Sequence, residues 1–232
     1  MLVKLGTRHI EVTDFLLSLP QNGAQVTAKL TDARLIDKVL PHKAGTIITS
    51  PPYINVFNYH QNHRIIMELL KFDILDVARS EFGSNRKNRG NRFLTVIQYC
   101  LDMGQALSAM QRANSKDGTL IMVVGRESNV RKTAFYNGDI VCDLAIKSGL
   151  FHLNHRAERV FKNKFGGDII EDILVFKPLA SIADTNSIAK DVALRHLKKA
   201  ALSVSNEAKD DLYNAIDSAD KVESSPIFKY KH

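Results

Sequence analysis

Cysteine is scarce in this sequence. The 232 residues include two, Cys100 and Cys142, both in apolar surroundings and without paired spacing. That excludes a disulfide framework and leads us to expect two buried free thiols. Long apolar runs are also missing. The longest, such as Gly118-Thr119-Leu120-Ile121-Met122-Val123-Val124, fall well short of a bilayer span. Met1-Leu2-Val3-Lys4-Leu5-Gly6 lacks the apolar core and small-residue cleavage site of a signal peptide. A cytoplasmic protein with no membrane partner is expected. Gly-x-Gly occurs nowhere, and the nearest pair is Gly166-Gly167.

Basic residues outnumber acidic ones, 32 to 25, for a net charge of +7. This permits a polyanionic partner. Distribution says more than the total. Arg79 to Arg92 holds Arg79, Arg86, Lys87, Arg89 and Arg92 against a single acid, Glu81. Gly, Ser and Asn separate these cations, which predicts a loop. Arg and Asn donors on a loop suit phosphates and base edges, so these five cations are candidate contacts to a polyanion, with a solvated loop as the alternative.

Hydrophobic periodicity predicts a short helix over Asp14 to Leu19 and an alternating strand over Ala24 to Leu30. Asp32 is placed to cap a short helix over Ala33 to Leu40. Thr46 to Thr49 reads as a buried strand that Ser50-Pro51-Pro52 must end, because proline donates nothing to a ladder. Helices are predicted over Gln61 to Val77, Leu94 to Ala113 and Lys132 to Ser148. A turn at Ser115 to Gly118 leads into a strand over Thr119 to Val124. Phe151 to Phe161 and Ile169 to Phe176 read as a closing hairpin. The order implies an α/β fold, the later part of a doubly wound sheet, in which ligands sit beyond the carboxyl ends of the strands. Asp32 and Ser50 to Tyr53 should then share one crevice. Ala183 to Val204 and Asn206 to Val222 are amphipathic helix candidates. The expected organisation is a catalytic domain over residues 1–178 and a helical appendage over 179–232.

Thr49-Ser50-Pro51-Pro52-Tyr53 directly after an apolar strand resembles the catalytic motif of S-adenosylmethionine-dependent DNA amino-methyltransferases. The resemblance covers roughly residues 24 to 178, with Gly118 to Gly125 as a further core strand and Asn163 to Pro178 as the closing hairpin. It implies a Rossmann-like sheet, S-adenosylmethionine as cofactor and double-stranded DNA as partner. It implies that Ser50, Pro51, Pro52 and Tyr53 are catalytic and that Asp32 touches the cofactor adenine. In the family the first residue's side chain and the first proline's carbonyl accept the amine hydrogens, while the tyrosine stacks on a flipped-out base. Serine at the first position is commoner in cytosine-N4 enzymes of restriction–modification systems. Adenine-N6 methylation is the alternative within the class, and an RNA or protein substrate is disfavoured by Ser50 and the basic loop. An inactive DNA-binding subunit is the alternative outside it. His60 and His63 form a His-x-x-His pair, but no carboxylate or cysteine stands at ligand spacing, so no metal is expected.

The family also has a glycine-rich turn after its first strand, and this sequence has none. Its absence implies a split enzyme or a truncated frame. A complementary methyltransferase half or a homo-oligomer is the expected protein partner. Weak cofactor binding by the isolated chain and an exposed edge along Gln25 to Leu30 follow.

Overall fold

The computed structural model describes residues 13–15, 17–18, 23, 25–54, 58–83, 88–163, 165–180 and 184–229. Contacts group the chain into two compact units, Met1–Leu30 and Thr31–His232. In the first unit residues 13–15 and 17–18 are helical, in line with the expected short helix. The strand expected over Ala24 to Leu30 is not there: residues 25–30 are exposed and join no sheet. Alternation gives a strand a face to bury but no partner for its N–H and C=O groups, and without a ladder it does not form.

The second unit begins at an N-cap. The Asp32 carboxylate accepts from Arg34 N–H and starts the 3-10 turn Ala33–Leu35, which runs into helix α1, Ile36–Val39. Strand β1, Ala44–Thr49, follows and ends at Ser50-Pro51-Pro52, as the prolines predict. The single helix expected over Gln61 to Val77 is three short ones: α2 Tyr59–Asn62, α3 Arg64–Leu69 and α4 Ile74–Ser80. Lys71, at φ 59°, breaks the run, and Asp73 restarts it by accepting from Leu75 and Asp76 N–H. The periodic residues Ile65, Ile66, Leu69 and Leu70 stay more than half exposed.

Helix α5, Leu94–Ala113, is as expected, and 15 of its 20 residues are buried, so it is the central helix rather than a surface one. Strand β2, Asn114–Gly125, includes the expected turn, with Ser115 to Gly118 looping out opposite Gly45. The helix expected from Lys132 begins later. Glu127–Val130 (β3) and Thr133–Tyr136 (β4) form a hairpin first, and helix α6 covers Asn137–Lys147. Arg131 and Lys132 turn the hairpin with φ of 51° and 63°, the left-handed pair that a two-residue turn needs. Neither is Gly or Asn, so the turn carried no sequence signal. Phe151–Lys162 (β5) and Asp168–Pro178 (β6) are the predicted closing hairpin. Helices α7, Thr185–Ala200, and α8, Asn206–Asp217, fall in the same unit. Gly104 on α5 lets α7 approach closely: a Cβ there would lie 3.4 Å from that of Ala189.

The sheet has the order β1-β2-β6-β5, with β1 and β2 parallel and the other pairs antiparallel. This is a mixed α/β fold. Ile47, Leu120, Met122, Val124, Leu174 and Phe176 point to the buried face, on which α5 and α6 pack. The alternate residues Ile121, Val123, Ile173 and Val175 remain partly exposed, and Ile48 is 71% exposed. β1 is an edge strand among the described residues. Cys100 and Cys142 are free and buried, as expected, and burial pushes the Cys142 thiol up to about 11. No helix of the described residues is long and apolar enough to cross a membrane.

Candidate active site

A cavity of about 700 Å³ opens at the carboxyl ends of β1 and β2. Ser50, Pro51 and Tyr53 enter it from the end of β1, and Gly125, Arg126 and Glu127 from the end of β2. The remaining wall is the β5–β6 hairpin, through Phe161 and Asp168 to Glu171. Parallel strands that stop together leave such a crevice, and the antiparallel hairpin closes its side.

The Tyr53 ring packs against the Gly125 backbone. A Cβ at position 125 would stand 2.6 Å from Tyr53 Cε2, so glycine there is a condition of the ring's position. The Tyr53 hydroxyl donates to Glu171 Oε1 at 3.3 Å. Burial raises the phenol pKa, and the Glu171 charge raises it further. Tyr59 and Phe161 add aromatic surface to the cavity, and the Arg159 guanidinium sits 4.8 Å from the Phe161 ring centroid.

Asn137, fully buried at the start of α6, fixes the loop after the prolines. Its Oδ1 accepts from Ile54 N–H at 3.3 Å, and its Nδ2 donates to Gly125 O and Ser128 Oγ. Asp172, one residue beyond Glu171, ties Arg126 to the hairpin. It is 1% exposed and accepts from Arg126 and Arg156, each at 2.9 Å. Burial works to raise its pKa, but Arg156 and Arg126 together hold the carboxyl below its ordinary value. Sequence reasoning missed Asn137, Phe161, Glu171 and Asp172. Only the position of the last three in the closing hairpin hinted at them.

The other expected site residues are elsewhere. Asp32 does not line the cavity. Its Oδ1 accepts from Arg34 N and Nε, and its Oδ2 from Arg34 Nη2 and Phe228 N–H. Burial disfavours its charge, but these donors hold its carboxyl below the ordinary value. Arg79 lies on α4 with its side chain 60% exposed, Arg89 is exposed and Arg92 is half-buried. Arg86 and Lys87 lie outside the described residues. His60 is buried and paired with Glu81 at 2.9 Å, while His63 stacks on Tyr59. The described residues contain no group of three or more possible metal ligands.

No family model matches the chain. It is 29% identical over 99 residues to a type II methyltransferase of Methanocaldococcus jannaschii, M.MjaII. That match covers 43% of this chain and 18% of the relative, so the chain spans under a fifth of the curated relative's length. A candidate DNA modification methylase from Thermus thermophilus, of known structure, aligns over 67% of this chain and 55% of its own, at 16% identity and a TM-score of 0.36. A stretch of 99 residues of this mixed α/β chain is therefore similar to a type II methyltransferase.

Proposed function

We propose that this chain forms the target-amine half of an S-adenosylmethionine-dependent DNA methyltransferase that methylates the exocyclic N4 amine of cytosine. The observation that carries this reading is the Ser50-Pro51-Pro52-Tyr53 corner at the carboxyl end of β1, opening into a cavity walled by Tyr53, Tyr59 and Phe161. An exocyclic base amine is a poor nucleophile because its lone pair is delocalised into the ring. Two acceptors that take its hydrogens draw the nitrogen toward tetrahedral geometry. Ser50 Oγ and the Pro51 carbonyl supply them, and the proline leaves no competing N–H at that point. The aromatic walls offer stacking surfaces to a base turned out of the duplex. Arg79, Arg86, Lys87, Arg89 and Arg92 are the proposed backbone contacts. Glutamate at these positions is expected to weaken DNA binding and flatten its salt dependence.

The methyl donor is a different matter. Asp32, the proposed adenine contact, has both oxygens engaged by Arg34 and Phe228, and no Gly-x-Gly exists to cradle a methionine chain. The described residues do not fit the cofactor. We infer that a complementary half from outside this four-stranded sheet holds it. The one-sided pairing of β1 and the 71% exposure of Ile48 beside it support a further strand at that edge. Such an enzyme would protect cytoplasmic DNA within restriction–modification.

Incubation of this chain together with its complementary half, S-adenosylmethionine and genomic DNA, followed by mass spectrometry of the nucleosides, tests the reading. N4-methylcytosine is expected. N6-methyladenine would move the target, and no methylated nucleoside even from the complemented enzyme would sink the proposal. Calorimetry of this chain with the cofactor should show no micromolar binding, and micromolar binding would refute the need for a complementary half.

A further inference from the structure

We propose that helix α3 is the contact surface for a second copy of this chain, with the two α3 helices packing antiparallel about a twofold axis. The inference rests on the folded chain alone and does not depend on the function proposed above.

Ile65, Ile66, Leu69 and Leu70 have the spacing of an apolar stripe on a buried helix. In the structure they are 83%, 58%, 79% and 54% exposed. At 3.6 residues per turn they share one arc of about 140° on α3 and the residue that caps it. Single exposed apolar residues are ordinary, but four adjoining ones on one helix make a patch. Contacts on both sides of α3 hold this face outward. Before it, the buried His60 engages the Glu81 carboxylate through its N–H and its Nδ1, at 2.7 and 2.9 Å. After it, Lys71 turns the chain and the Phe72 ring stacks on Phe228, with centroids 5.9 Å apart. Half-buried Met67 takes the inner side of the helix.

Charge points to a second copy as the occupant. Arg64 and Glu68 lie one turn apart along one flank of the stripe, 2.7 Å from each other, and both are exposed. A cation followed one turn later by an anion is complementary to the same helix reversed. In an antiparallel pair Arg64 of one copy stands beside Glu68 of the other, and the twofold axis repeats the contact. The apolar stripes meet alongside. A partner of another sequence would not require this self-complementary order. Covering the exposed parts of the four side chains in both copies removes on the order of 1,000 Å² from water, the size at which a specific interface begins.

Sedimentation equilibrium of the full chain tests the proposal. A mass of twice 26.0 kDa is expected in the micromolar range. Leu69→Glu should return it to a single chain without changing the far-ultraviolet circular dichroism, because that side chain is exposed in the single chain. Charge reversal then tests what the partner is. Arg64→Glu sets carboxylate against carboxylate across the axis, and Glu68→Arg sets cation against cation. Each variant alone should associate about 10-fold more weakly than the parent. Mixed in equal amounts, the two should pair with each other at about the parent's strength, because every contact is again between opposite charges. A chain that stays single up to about 100 μM would overturn the proposal. A dimer that survives Leu69→Glu would place the contact elsewhere and overturn it too. So would charge variants that associate as well as the parent, or that mixing does not restore.

Discussion

Replacing Arg34 by methionine is expected to cost the fold about 3–5 kcal/mol, the range for removing one partner from a buried ion pair. The Arg34 side chain is 2% exposed. It holds Asp32 at 2.6 Å and Asp102 at 3.2 Å, and it donates to the Ser225 and Pro226 carbonyls of the C-terminal segment. Without it two carboxylates are left in the interior with backbone donors only: Gly83 and Ser225 N–H for Asp102, and Arg34 and Phe228 N–H for Asp32. Urea denaturation measures the loss, and a change under about 1 kcal/mol would mean that the network relaxes around the gap.

The same variant has a predicted pH dependence. Burial pushes the Asp102 carboxyl up to about 6 even with Arg34 present. A raised folded-state pKa means that the proton is held more tightly folded than unfolded. Its stabilising effect is therefore full at acid pH and is lost as pH rises through about 6. Asp32 runs the other way in the native chain: its depressed pKa gives stability above the unfolded value that is lost on acidification. Removing Arg34 removes the cation that depresses Asp32, so both carboxylates become easier to protonate. The penalty of Arg34→Met should then be largest above pH 6 and shrink toward pH 4. A penalty independent of pH would place its origin in lost packing.

Ser50→Ala and Tyr53→Ala are expected to reduce methyl transfer by about 10²–10³-fold, the scale for removing a group aimed at the reacting centre. Neither should change the thermal midpoint much, because Ser50 is exposed and Tyr53 half-buried. Gly125→Ala should reach the same result by another route, since its Cβ would stand 2.6 Å from Tyr53 Cε2 and displace the ring. Full activity in Ser50→Ala and Tyr53→Ala would put the active site elsewhere. Activity lost with Ser50→Ala but kept with Gly125→Ala would show that ring position does not matter, and that would count against stacking.

The sequence by itself determined the elements with strong local rules. Pro51 and Pro52 end β1 because they have no donor. Asp32 caps its turn because a short carboxylate reaches the next N–H groups. Helix α5 and the β5–β6 hairpin follow from periodicity over a dozen or more residues. Tertiary structure decided the rest. Residues 25–30 had the strand pattern but no neighbouring strand to pair with. Arg131 and Lys132 take the left-handed turn between β3 and β4, although no glycine announces it. Asp32, spaced like a ligand contact, is taken by Arg34 and by the backbone of Phe228, 196 residues away. Glu171 comes to Tyr53 across 118 residues, through a register that sets Gly125 beside it. Local propensity depends on neighbours in sequence, whereas strand partners, charge pairs and cavity walls depend on neighbours in space. That is why the Ser50–Tyr53 corner was legible in one dimension and the acidic partner it leans on was not.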